Sequence, residues 1–180
     1  MTEKTLVLIK PDGVQKQLIG EITKRFEENN LKISAMKMIK ADEDLAKKHY
    51  PLDLDWAKSA FEKTKKSAEE DKREIPFSDH IEFGETLQSW LVDFITEAPV
   101  IAMVLHGPNA ISTVRKLVGA TEPCKAEKGT IRGDLVPEES YEKANSTGRA
   151  LRNLIHASDS LENAQREISV WFKKHELHDY

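Results

Sequence analysis

A single cysteine, Cys124, leaves no partner for an internal disulfide, and the six histidines stand at no spacing that would complete a zinc site with it. No apolar run approaches the roughly 18–20 residues needed to cross a bilayer, so no membrane partner is expected. The opening residues, MTEKTLVLIKPDG, close their short apolar stretch with Lys, Pro and Asp. They read as a strand and not as a signal peptide, which makes a cytoplasmic location the expectation. Neither sign of charge dominates: 27 Lys+Arg face 31 Asp+Glu for a formal charge of −4, which argues against a general nucleic-acid coat. Glycines number only eight, and none builds a phosphate-cradling loop. Gly13 and Gly20 are not followed by Lys-Ser/Thr, and no GxGxxG follows a strand. Any phosphate handled by this chain must be held by side chains.

What is present suits one domain over residues 1–180. A hydrophobic share of 39% is enough for a core, and a charged share of 32% wraps it in a solvated surface. Residues 5–9 (TLVLI) and 99–105 (PVIAMVL) are nearly continuous apolar runs, as strands covered on both faces require. Residues 32–39 (KISAMKMI) alternate, with Ile33, Ala35 and Met38 as inward candidates, and 152–156 (RNLIH) reads as a short fourth strand. Helical spacing of apolar residues marks 20–30, 86–96, 109–118 behind Asn109 as N-cap, and 160–173. The order β-α-β, irregular helical stretch, α-β-α, long loop, β-α suggests a small sheet with helices on one face. Segment 53–83 is the least periodic. Its stretch 58–74 packs six cationic and five acidic side chains, which reads as a solvated helix laced with local ion pairs.

Two constellations could carry chemistry. In Asn153-Leu-Ile-His156-Ala-Ser158-Asp159-Ser160 an imidazole ends a strand just before small polar residues able to cap the next helix. Asp159 and Glu162 stand at capping-box spacing. On that helix Glu167 borders the stripe of Ala164, Ile168 and Trp171, so it points toward the sheet and could fix the tautomer of His156. A lone histidine at a strand end also reads as an ordinary packed residue. The second set is Lys10, Arg115, Thr121 and Arg132. Lys10 ends the first strand where Pro11 and Gly13 turn the chain, and Arg132 sits between Gly129 and Gly133 as an exposed cation whose fork suits phosphate oxygens.

Taken together, Lys10-Pro-Asp-Gly13, Arg115-Lys-Leu-Val-Gly-Ala-Thr121-Glu-Pro, Gly129-Thr-Ile-Arg-Gly-Asp134 and Asn153–Ser160 resemble the nucleoside diphosphate kinases, in that family's order and over nearly the whole chain except 53–83. The resemblance implies an α+β sandwich: a ferredoxin-like four-stranded antiparallel sheet with a βαββαβ core. It implies ping-pong transfer of a γ-phosphoryl group between nucleoside tri- and diphosphates (ATP, GTP, ADP and others) through a phosphohistidine. By the same resemblance His156 is the nucleophile, Glu167 holds its other nitrogen, and Ser158 supports Glu167. Arg115, Thr121 and Arg132 bind phosphates, Lys10 and Asn153 reach the sugar and the transferred group, and Tyr50 lies nearby. Mg²⁺ enters with the nucleotide and meets Asp159 mostly through water. A homo-oligomer, hexamer or tetramer, is implied as well. The family's base-stacking position stays open here among Leu87, Phe83 and, as an apolar wall, Leu91. Segments 53–83 and 135–150 are longer than in many members. Two other readings share these residues: a nucleotide-binding module without turnover, and a phosphohistidine donor to proteins.

Overall fold

The computed structural model describes residues 2–70, 72, 75 and 77–180. In chain order the elements are β1 (Thr2–Ile9), α1 (Pro11–Gln15), α2 (Ile19–Glu28), β2 (Lys32–Ile39), α3 (Glu43–His49), α4 (Leu54–Glu70), α5 (His80–Thr96), β3 (Val100–Pro108), α6 (Ala110–Val118), α7 (Ile131–Leu135), α8 (Tyr141–Ser146), β4 (Ile155–Ala157) and α9 (Leu161–Trp171). The four strands form one antiparallel sheet in the order β2-β3-β1-β4. Removing α3–α5 from between β2 and β3 leaves the βαββαβ arrangement the resemblance implies.

Helices cover both faces of the sheet, not one. The cause is visible in β1 and β3, whose uninterrupted apolar runs feed two cores by the two-residue alternation of a strand. Val7, Ile9, Ile101, Met103 and Leu105 pack with Ile22 and Phe26 of α2 and Val114 and Val118 of α6. Leu6, Leu8, Val100, Ala102 and Val104 pack on the other side with Ala46 of α3, Val92 and Ile95 of α5, and Trp171 of α9. Each fully buried Leu or Ile contributes about 1.5–3 kcal/mol relative to exposure, so the two central strands carry much of the fold.

The alternation expected in β2 holds only in part. A bulge between Ile33 and Ala35 absorbs Ser34, and Met38 emerges outward at 59% exposure. Pro11 starts α1 at its first positions, where a missing N–H costs nothing, instead of making a turn. The cap of α9 is Ser160, which accepts from the Asn163 backbone N–H; Asp159 binds the Asn163 side chain instead, so the Asp159–Glu162 box does not form. Asn109 does precede α6, but through a left-handed backbone (φ 50°) and without a side-chain cap bond. The presumed long loop before β4 contains α7 and α8, too short for periodicity to reveal. Within the charged segment α4 is helical as expected and packs on α5, with Lys125 bound to Glu70; residues 71, 73, 74 and 76 of that segment lie outside the described residues.

Candidate active site

His156 sits in the middle of β4, opposite Leu8 of β1, with its side chain on the face covered by α9 and α3. Glu167, one of three inward residues of α9, approaches His156 Nε2 with its Oε2 at 2.9 Å. The same oxygen accepts the Ser158 hydroxyl at 2.6 Å, while the Ser158 oxygen accepts the Leu6 backbone N–H at 3.2 Å. Burial pushes the Glu167 carboxyl up, but His156 and the Ser158 and Arg166 contacts outweigh it and hold the group below its ordinary value. An ionised carboxylate only accepts, so the proton of the imidazole rests on Nε2 and the lone pair on Nδ1.

The cations expected around this ring occupy unequal places. Lys10, 6% exposed, donates from Nζ to Asn153 Oδ1 at 2.8 Å, and Asn153 Nδ2 in turn donates to the Thr121 carbonyl at 2.9 Å. Burial, then Arg132, lowers the Lys10 ammonium to about 8 against a partial offset from Asp12. Arg115 on α6 is exposed, close enough to Arg132 and Asp159 to act on both. It shares with Asp159 an open cleft of about 510 Å³ whose floor includes Glu3 and Leu161.

Arg132 is not the exposed cation its glycine neighbours suggest. It is 5% exposed, and its guanidinium donates to the carbonyls of Gly119, Ala120, Asn153 and Ile155 at 2.7–3.2 Å. Four of five donors are thereby spent, leaving one Nη2 proton for a ligand. Gly133 is required here because a Cβ would meet the Glu127 carbonyl at 2.1 Å. Arg132→Ala therefore strips partners from four carbonyls that pin the loop before β4. A loss of roughly 3 kcal/mol is expected, which thermal melting should read as a drop of about 6–12 °C. A melting temperature within about 2 °C of the parent would show the clamp to be idle.

Two residues that sequence reasoning passed over belong to this site. His49, at the C-terminus of α3, is buried with its ring edge-to-face against His156, centroids 4.5 Å apart. Trp171 donates its indole N–H to His49 Nδ1 at 3.1 Å, so the remaining proton sits on His49 Nε2. Burial, with His156, Arg166 and Lys10 adding to it, holds this imidazole well below its usual pKa and hence neutral. His49, His156 and Glu167 bring possible ligand atoms within 4.8 Å of one another, and Trp171 and Glu167 already hold one nitrogen of each ring by a hydrogen bond. Tyr50 completes the aromatic wall, 6.3 Å from the His156 centroid, with its phenol raised by burial and by Glu167. The second overlooked residue is Asp12, 5% exposed, which accepts the backbone N–H groups of Gly13 and Leu154 at 3.0 Å each. His49 could have been noticed as the neighbour of Tyr50, and Asp12 as a member of the Lys10–Gly13 motif, whose role only its contact with Leu154 reveals.

Of the apolar candidates for a base, Phe83 is excluded. It is buried against Phe61 and Phe77 at centroid distances of 5.6 and 5.1 Å, inside the α4–α5 hairpin. Leu87 and Leu91 remain half-buried on α5. Asp159, exposed, gives one oxygen to Asn163 and is held ionised by Asn163 and Arg115 against the pull of partial burial. It belongs to no cluster of three or more metal-ligating side chains among the described residues.

An imidazole held through Nε2 by a carboxylate, with Lys10 and Arg132 fastened to the segment that leads into its strand, is the equipment of a phosphotransferase that works through its own histidine. The matching family model is nucleoside diphosphate kinase, over residues 3–75 and 77–177. Among similar proteins, a nucleoside diphosphate kinase of Pyrobaculum aerophilum is 43% identical over 179 residues, 97% of either chain. One from Pyrococcus horikoshii is 46% identical over 179 residues, 99% of this chain and 90% of that protein. The crystal structure of an NDP kinase from Pyrobaculum aerophilum superposes with a TM-score of 0.93 at 41% identity, covering 99% of this chain and 100% of that one. A transition-state mimic of the Borrelia burgdorferi nucleoside-diphosphate kinase with bound vanadate and ADP gives a TM-score of 0.81 at 39% identity, over 99% and 92%. The chain belongs to the nucleoside diphosphate kinase family. Alignments of this extent take in the charged 53–83 segment, so it is not peculiar to this chain.

Proposed function

We propose that this nucleoside diphosphate kinase moves the γ-phosphoryl group of a nucleoside triphosphate to a second nucleoside's diphosphate through His156. The observation that carries the reading is the pair of hydrogen bonds that Glu167 accepts from His156 Nε2–H and the Ser158 hydroxyl, which leaves Nδ1 for the substrate. In the first half-reaction the Nδ1 lone pair attacks the γ-phosphorus in line. A P–N bond forms, the P–O bond to the leaving diphosphate breaks, and that oxygen keeps the electron pair. In the second, a terminal oxygen of the incoming diphosphate attacks phosphorus and the P–N electrons return to Nδ1. The Nε2 proton stays where Glu167 holds it, and the carboxylate stabilises the imidazolium character that grows as phosphorus bonds. The Borrelia burgdorferi relative with ADP and vanadate supports this chemistry.

Lys10 and the remaining Arg132 donor face the transferred group, Asn153 aligns Lys10, and Arg115 and Thr121 take the inner phosphates. Leu91, with Leu87, walls the base, and Tyr50 and His49 hold the back of the ring. A divalent ion, Mg²⁺, fits as part of the nucleotide substrate: one ionised carboxylate, Asp159, makes no closed site but can orient the water shell of an ion already held by phosphates. Bound that way, the ion neutralises phosphate charge. We also infer a cytoplasmic enzyme built as one domain. Self-association into a hexamer or tetramer is supported by the edge strand β2, which leaves Met36 and Met38 exposed. Among the described residues no helix is long and apolar enough to cross a membrane.

The test is exchange. ATP and GDP mixed with the protein and Mg²⁺ should yield GTP and ADP over many turnovers. Transfer that stops after one phosphate per chain, or yields only inorganic phosphate, would overturn the reading. The rate should also follow the Lys10 charge. With the ammonium lowered to about 8, kcat/KM should be level below that pH and fall above it as the cation deprotonates. A profile flat to pH 10 would mean that Lys10 does not act as a charge.

A further inference from the structure

Leu154, the residue just before β4, departs from the alternation of faces that the strand after it follows. Ile155 and Ala157 enter the core under α2 and α6, and His156 between them faces α9. Carried one residue back, that alternation would set the Leu154 side chain on the same face of the sheet as His156. Leu154 instead lies fully buried in the same core as Ile155. What turns it is a left-handed backbone, φ 68°, closed by a bond from the Ile155 N–H to the Asn153 carbonyl at 2.8 Å. Three-residue turns of this hand are rare and strained for any side chain but glycine. The surroundings over-determine it. Asp12 Oδ2 accepts the Leu154 N–H at 3.0 Å, the Lys10 backbone N–H donates to the Leu154 carbonyl at 2.8 Å, and Arg132 clamps the carbonyls on either side. Gly13 allows the approach, since a Cβ there would meet the Leu154 carbonyl at 3.0 Å.

We propose that Asp12 is a positioning residue for phosphoryl transfer: it holds the Leu154 turn that keeps the leucine side chain off the reactive face of His156 and leaves Asn153 on Lys10. The inference rests on the phosphohistidine reading above. Asp12 touches no reacting atom. Its second oxygen is fixed by the Gly13 N–H, so the carboxylate has one geometry in which both backbone donors are satisfied. Asparagine in its place must set an N–H against one of them.

The experiment is a double-mutant cycle on the full chain, read as the rate of phosphoenzyme formation from γ-labelled ATP and Mg²⁺. Asp12→Asn should slow that step roughly 10–100-fold, the effect of misplacing reacting groups by about an ångström, with ADP affinity changed less than about threefold. Leu154→Gly removes both the strain and the intruding side chain. In that background, adding Asp12→Asn should slow the step less than about threefold. Should Leu154→Gly fail to fold, Leu154→Ala serves the same cycle, because the side chain that would intrude is gone. Equal losses in both backgrounds would overturn the proposal. So would full recovery of Asp12→Asn at lower pH, since Asp12 also supports the Lys10 charge and would then act only through it. Wild-type rates in Asp12→Asn overturn the proposal alone, whereas a wild-type chain that forms no phosphoenzyme overturns the function beneath it as well.

Discussion

His156→Ala should take up no phosphate and turn over no nucleotide. The parent chain, incubated with γ-labelled ATP and Mg²⁺, should acquire about one phosphate per chain, labile in acid and stable in base as a P–N bond requires. Without the imidazole no second nucleophile stands in its place: His49 Nδ1 is occupied by Trp171 and its Nε2 carries a proton. Exchange between ATP and GDP should therefore fall by a factor on the order of 10⁴–10⁶, the scale of removing a covalent nucleophile. The fold should survive, because Ser158 still satisfies Glu167 and the alternating neighbours Ile155 and Ala157 keep β4 in register. ADP should still bind through Lys10, Arg115 and Arg132. Label retained by His156→Ala, in a form stable to acid, would place the intermediate on another residue and sink the assignment.

The parts of this molecule legible in its sequence are those governed by period and neighbourhood. Unbroken runs at 5–9 and 99–105 correctly signalled strands covered on both sides, although the helices were expected on one side only. The 3.6-residue stripe of α9 correctly aimed Glu167 at the sheet, because the residues flanking it on that face are apolar. Periodicity says nothing about contacts between distant segments, and there the expectations failed. Arg132 looked exposed because its glycines and polar neighbours suggest an open loop. The carbonyls that enclose it come from residues 119–120 and 153–155, far along the chain. Asp12 and His49 owe their importance to Leu154 and Trp171, each more than a hundred residues away. Met38 was misplaced because alternation from the buried Ala35 leads inward through Lys37 and Ile39, leaving Met36 and Met38 outward. A left-handed turn carried by a leucine leaves no mark in the sequence, since glycine, the residue that favours it, does not stand there.

Glu167→Gln separates charge from shape at the centre of the mechanism. The amide has the carboxylate's size, and its oxygen can still accept from His156 Nε2–H and Ser158, although its NH₂ then faces the Arg166 donor in place of an acceptor. What it cannot supply is negative charge behind a ring that becomes positive as phosphorus bonds to Nδ1. Turned the other way, its NH₂ would donate to Nε2 and drive the proton to Nδ1, disarming the nucleophile. Both effects lower the rate of transfer more than the binding of nucleotide, which rests on residues that Glu167 does not touch. We expect kcat/KM to fall by roughly 10²–10⁴, the range for removal of a positioned acid–base or orienting group. ADP affinity should stay within about threefold. Because the carboxyl is held below its ordinary value, Glu167 stays ionised behind the ring into mildly acidic solution. Paired measurements of turnover and ADP binding decide the matter. A variant within about threefold of the parent in kcat would reduce Glu167 to a packing residue and leave His156 without a reason to present Nδ1.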